Sequence, residues 1–204
     1  MAAEHVEFVE RVLRRVPQGT PSRFQFESWN HAGRPTGEGF GVKGVPGIDP
    51  AQIEAAAWDV NGYTGNVNAV VECRQVPDER YDGQTQQRFY QRIEIPVLGS
   101  VHYELLMERV ADQNGWSGVA WSVLRAETDR LDKGRGIRSD YNHGCWLSKP
   151  GVVLYGLGSA PLRDDVGFLK WKAMTKGADA AAPRMFQANI DGMTAWVNRR
   201  GRAS

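Results

Sequence analysis

The chain has 204 residues, 41% of them hydrophobic, which suffices for one domain with its own core and leaves little room for two. Its 25 basic and 24 acidic side chains leave a formal charge of +1, so no bulk field draws it to nucleic acid or to an anionic membrane. Cys73 and Cys145 lie far apart without a CxxC or Cys/His spacing, which argues against a disulfide framework and a structural zinc site, and no stretch approaches the ~20 apolar residues of a membrane span.

Met1 to Val9 lacks the basic and apolar regions of a signal peptide, so the chain is expected to be soluble and cytoplasmic. Val6, Val9, Val12, Leu13 and Val16 recur at helical spacing, with Pro17 and Gly19 ending that helix. Arg23 to Trp29 alternates as a strand does, with Phe24, Phe26 and Ser28 on one side. Glu38 to Val45 forms the next strand after a turn at Gly33 to Gly37. Asp49 reads as an N-cap with Pro50 at the first helical position, and Ile53, Ala56, Ala57 and Val60 give an apolar stripe.

From Val67 onward the pattern is a meander. Val67–Val76, Gln86–Ile95, Val101–Val110, Trp116–Leu124, Gly136–Leu147 and Val152–Pro161 are strand segments, separated by turns such as Asp82-Gly83, Leu98-Gly99-Ser100, Asn114-Gly115 and Lys149-Pro150-Gly151. The short links favour antiparallel neighbours. Phe89, Gln91, Ile93 and Ile95 oppose Arg88, Tyr90, Arg92 and Glu94, while Tyr103, Leu105 and Met107 oppose His102, Glu104 and Glu108, which predicts one buried and one wet face. The cover for the buried face is the final helix, Arg184 to Arg200, whose apolar arc carries Met185, Phe186, Ile190, Met193, Trp196 and Val197 with Asn189 among them.

This order of elements carries a resemblance. The segment Gly39 to Gly47, then Asp49-Pro50, Trp58-Asp59-Val60, Tyr63 and Asn66, followed much later by Tyr141-Asn142-His143-Gly144-Cys145-Trp146, Lys149-Pro150-Gly151, Tyr155 and Ala160-Pro161, resembles the START-like helix-grip superfamily of lipid-transfer and polyketide cyclase-like proteins. The likeness spans roughly Gly39 to Arg200. It implies an α+β helix-grip fold: a curved antiparallel sheet of about seven strands around a long C-terminal helix, with a ligand cavity between them. Residues 1–38 then form an N-terminal extension of helix and strand, and 39–200 the core of a single domain. The helix and strand before Gly39 and the stretch Leu162 to Gly177 are additions to the minimal pattern that would cover an edge or gate the entrance.

The expected lining is Phe89, Gln91, Ile93, Tyr103, Leu105, Met107, Val119, Trp121, Tyr141, Tyr155 and Leu157 from the strands, closed by Met185, Phe186, Asn189 and Met193 from the helix. Such a lining suits a bulky apolar ligand with a few oxygens, a lipid, sterol, isoprenoid or polyketide. For each aromatic taken singly, packing against its neighbours is the ordinary fate. Asn189 leaves two readings open: its amide meets the ligand's polar end, with Gly192 leaving room, or it bonds strand backbone while Gly192 allows close packing.

Two alternatives stand beside ligand binding. One is a cyclase or dehydratase in which Tyr141 and His143, with Tyr155, move protons on a carbonyl substrate; the other is a ligand-free interaction module. His102 falls on the wet face, where its role is solubility. His5, His31, His102 and His143 show no metal-ligand spacing, so neither metal nor cofactor is expected. The expected partner is a hydrophobic small molecule, with no nucleic acid, no stable membrane insertion, and room for transient membrane contact; a protein partner is unknown.

Overall fold

A computed structural model describes residues 4–31, 33–95 and 99–202, with the side chains of residues 178 and 179 outside the description. The turn expected at Leu98-Gly99-Ser100 therefore begins outside the described residues. The elements are α1 (Glu4–Leu13), β1 (Gln25–Asn30), β2 (Gly37–Gly44), α2 (Pro50–Trp58), β3 (Val70–Val76), β4 (Gln86–Ile95), β5 (Gly99–Gln113), β6 (Trp116–Val123), α3 (Arg125–Asp129), β7 (Ile137–Lys149), β8 (Val152–Pro161), α4 (Arg163–Val166) and α5 (Phe168–Gly201). The Asp49 side chain caps α2 by accepting from the Ala51 N–H at 3.0 Å, with Pro50 opening the helix where no donor is needed.

One sheet of 8 strands runs in the order β1-β2-β8-β7-β6-β5-β4-β3. Its neighbours are antiparallel, and a short parallel contact pairs Val101 with Ile137 where β5 meets β7. The meander β3 to β6 grows from local hairpins, whereas β2 reaches β8 across the whole chain, setting Gly41 opposite Tyr155.

Helices cover both faces. On the inner face, α2 and α5 bury Ile53, Ala57, Phe186, Ile190, Met193 and Val197 against Phe89, Tyr103, Leu105, Met107, Val119, Trp121 and Tyr155. On the outer face, α1 presses Phe8, Val9 and Val12 onto Phe40, Val42, Ala120, Cys145, Leu147 and Leu154. Each fully buried side chain of this size contributes roughly 1.5–3 kcal/mol, so α1 is an integral cover and does not guard an edge or an entrance.

That second cover corrects the expectation of a wet outer face. His102 is buried with its Nδ1 3.2 Å from the Tyr90 hydroxyl, and Glu104 lies buried between Arg88 and Thr128. The alternation was sound, but a polar residue on a strand's second face does not reveal a helix arriving from elsewhere in the sequence to cover it.

α5 is also longer than expected. It begins at Phe168, sixteen residues before Arg184, and continues through Pro183. The alanine-rich run before Pro183 has the helix propensity to carry the helix through the proline at the loss of one backbone hydrogen bond.

Candidate ligand site between sheet and helix

The strand register places Phe89, Gln91 and Ile93 of β4 beside Tyr103, Leu105 and Met107 of β5, with Gln91 directly opposite Tyr103. Val119 and Trp121 of β6 continue the same face, and Tyr155 and Leu157 of β8 close it on the other side of β7. Phe186, Asn189 and Met193 of α5 are buried opposite these strands, with Met185 partly buried at their edge. The structure thus brings together every expected lining residue except one.

The exception is Tyr141. It points to the outer face, where its ring stacks on His143 at 5.6 Å and its hydroxyl is hydrogen-bonded to Thr36 Oγ1. From Tyr141 to Ser148 β7 is buried on both faces, so its sequence shows no polar-apolar alternation to say which face is inward. The inward residues are Asn142, Gly144 and Trp146. Gly144 is required there: a Cβ would stand 2.3 Å from the Trp121 ring.

Asn142 is the functional-face residue that the sequence reading passed over. Its Oδ1 accepts from Trp121 Nε1 at 2.9 Å, and its Nδ2 lies 3.4 Å from Ser159 Oγ. Nearby, the Tyr103 hydroxyl donates to Gln91 Oε1 at 3.0 Å, and Gln87 Nε2 donates to the Trp58 carbonyl at 2.7 Å. The signal available beforehand was its four-residue offset from Trp146, which puts both on one strand face, Trp146 being too large to leave uncovered.

Tyr155 behaves differently from these paired groups. Its ring packs 4.3 Å from Trp146, 5.3 Å from Phe186 and 6.1 Å from Trp121. Burial pushes its phenol well above the usual range, so it is a neutral donor at any working pH. Among the described residues its hydroxyl meets no hydrogen-bond partner, although buried phenols ordinarily find one.

Asn189 is engaged within the protein. Its Oδ1 accepts from the Asn68 N–H at 3.0 Å, and its Nδ2 lies 3.1 Å from Met185 Sδ. Gly192, one turn on, lets the helix touch the same loop, because a Cβ there would stand 2.4 Å from the Asn66 carbonyl oxygen. The two residues seat α5 on the chain leading into β3, which matches the packing reading of this pair.

The Tyr141–His143 pair lies beneath α1, across the sheet from Tyr155. His143 is 0% exposed, with Nδ1 3.1 Å from Glu4 and Nε2 2.9 Å from Glu38. Burial would depress the imidazolium, but the two carboxylates more than offset this and raise its pKa above the ordinary value. Burial likewise opposes ionisation of Glu38, yet His143 and a two-point contact from Arg11 hold it down at about 2. These ionised groups tie α1 to the sheet, and none of them reaches the inner face.

No protein-family model and no curated protein matches the chain. Solved structures do. The STAR-related lipid transfer protein of Xanthomonas axonopodis is 13% identical at a TM-score of 0.68, covering 88% of this chain and 96% of its own. Human STARD10 is 9% identical at 0.70, covering 99% and 84%, and human StAR-related lipid transfer protein 5 is 13% identical at 0.70, covering 96% and 94%. The two human alignments extend beyond Gly39 to Arg200 and take in the N-terminal segment. With α5 gripped by one antiparallel sheet, the chain has the START-like helix-grip fold.

Proposed function

We propose that the protein binds a hydrophobic small molecule, of the lipid, sterol, isoprenoid or polyketide class, between the inner sheet face and α5. The observation that carries this reading is the Tyr155 hydroxyl, a donor without a hydrogen-bond partner among the described residues, on a side chain packed amid Trp121, Trp146 and Phe186. An oxygen on an otherwise apolar ligand would accept from it. Met107 and Met193 would adapt to the ligand's outline, and burial of apolar area at about 25 cal/mol per Å² would supply most of the affinity. The fold's likeness to structures named as lipid-transfer proteins is consistent with that use. Transport between membranes would be a natural extension, with the ligand released as α5 or a neighbouring loop moves.

Tyr155→Phe tests the reading because it removes one oxygen and no protein hydrogen bond. Titration with a fluorescent sterol and a fluorescent fatty acid is expected to show affinity lost by about fivefold for whichever probe sets its oxygen at Tyr155, equal to ~1 kcal/mol, with stability unchanged. Binding of neither probe, or of a lipid panel around them, would leave the packed interior as support for an interaction module.

A further inference from the structure

The outer face holds a second constellation that ligand binding does not use. His5 of α1 is buried with Nδ1 3.0 Å from Ser122 Oγ and Nε2 2.9 Å from Glu108 Oε2. Glu108 is steadied in turn by Gln86, whose Nε2 donates to its Oε1 at 2.7 Å. A carboxylate can only accept, so neutral His5 carries its proton on Nε2 and turns the Nδ1 lone pair toward the Ser122 hydroxyl. Nucleophile, base and orienting acid thus stand in hydrogen-bond sequence, brought together from β6, α1 and β5.

A pocket of about 120 Å³ opens beside His5 and Glu108, lined also by Val6, Val9 and Ala120 and by the polar Arg109 and Gln113, with Ser122 next to it and not in its wall. Ala120 and Ser122 are two residues apart on β6 and share its outer face, and Ser122 is half-buried where His5 is fully covered. The space is small and mixed in polarity, the size of a short acyl chain.

We propose that Ser122 is an activated nucleophile, with His5 its base and Glu108 a positioning residue, that accepts an acyl group from a small ester. Ser122 Oγ attacks the carbonyl carbon while His5 Nδ1 takes its proton. The ester C–O bond then breaks, and the alcohol leaves with the proton returned from His5. Water, deprotonated by the same nitrogen, attacks the acyl-serine to release the acid and restore Ser122. The site lies across the sheet from Tyr155 and stands or falls independently of the ligand-binding reading.

Phenylmethanesulfonyl fluoride and p-nitrophenyl butyrate test it on the full chain. The expected result is a single sulfonyl adduct mapped to Ser122, absent there in Ser122→Ala, forming ~100-fold more slowly in His5→Gln, with ester hydrolysis falling in parallel. Glu108→Gln, which spares both reacting groups, is expected to slow labelling less and to shift its pH profile. Absence of an adduct at Ser122 in the wild-type protein overturns the proposal. So does labelling that is indifferent to pH and to both His5→Gln and Glu108→Gln, which would leave His5 as an anchor for α1 only.

Discussion

Asn189 shows how an amide on an apolar helix face divides between two roles. Its oxygen holds the Asn68 N–H, so Asn189→Leu leaves that donor unpaired and is expected to lower stability by ~1–3 kcal/mol in chemical denaturation, with its effect on ligand affinity secondary. Tyr155→Phe makes the opposite prediction, affinity lost and stability kept. The inner-face residues of β4 and β5 were legible because those strands alternate between apolar and polar neighbours. Tyr141 was not, since β7 is buried on both faces and a tyrosine satisfies either one. Trp146 and the glycine at 144 held the parity of that strand, but only a structure shows the Trp121 ring lying where a Cβ would be.

At the scale of elements, α1 is held by charges that titrate. The raised His143 pKa means its contribution is complete below the ordinary histidine range and is lost as pH climbs through the elevated value. The depressed Glu38 pKa works the other way, contributing above the ordinary carboxylate range and fading as pH falls toward about 2. Glu4, whose hydrogen bond to His143 holds its carboxyl low, and Arg11 and Arg34 complete the cluster. Thermal unfolding is therefore expected to peak between those limits, and Glu38→Gln to lose ~3–5 kcal/mol near neutral pH by stranding buried charge; a flat profile would contradict the cluster's role. None of this was readable from sequence, because Glu4, Glu38 and His143 come together from three distant segments. α5 offers a steric counterpart. Gly192→Ala drives a Cβ to 2.4 Å from the Asn66 carbonyl, so a loss of about 1–3 kcal/mol is expected, measurable by denaturation against an exposed control such as Gly177→Ala.

For the molecule as a whole, the sheet-and-helix plan was visible in the meander and the final apolar stripe, and the structure adds the second cover. The residues named for the inner face describe an apolar enclosure with a few polar groups, most of them spent on one another: Gln91 with Tyr103, Asn142 with Trp121 and Ser159. Among the described residues the Tyr155 hydroxyl and the Gln91 Nε2 carry no hydrogen bond, which would suit molecules with an oxygen on a hydrophobic frame. Among the described residues no helix is long and apolar enough to cross a membrane. The measurement that bears most directly on the account is mass spectrometry of an organic-solvent extract of the freshly purified protein, paired with native mass spectrometry of the intact complex. A reproducible apolar, oxygen-bearing molecule at about one per chain in the wild-type protein, and depleted in Tyr155→Phe, is the predicted result; a protein that is consistently empty and binds no member of a lipid panel would contradict it.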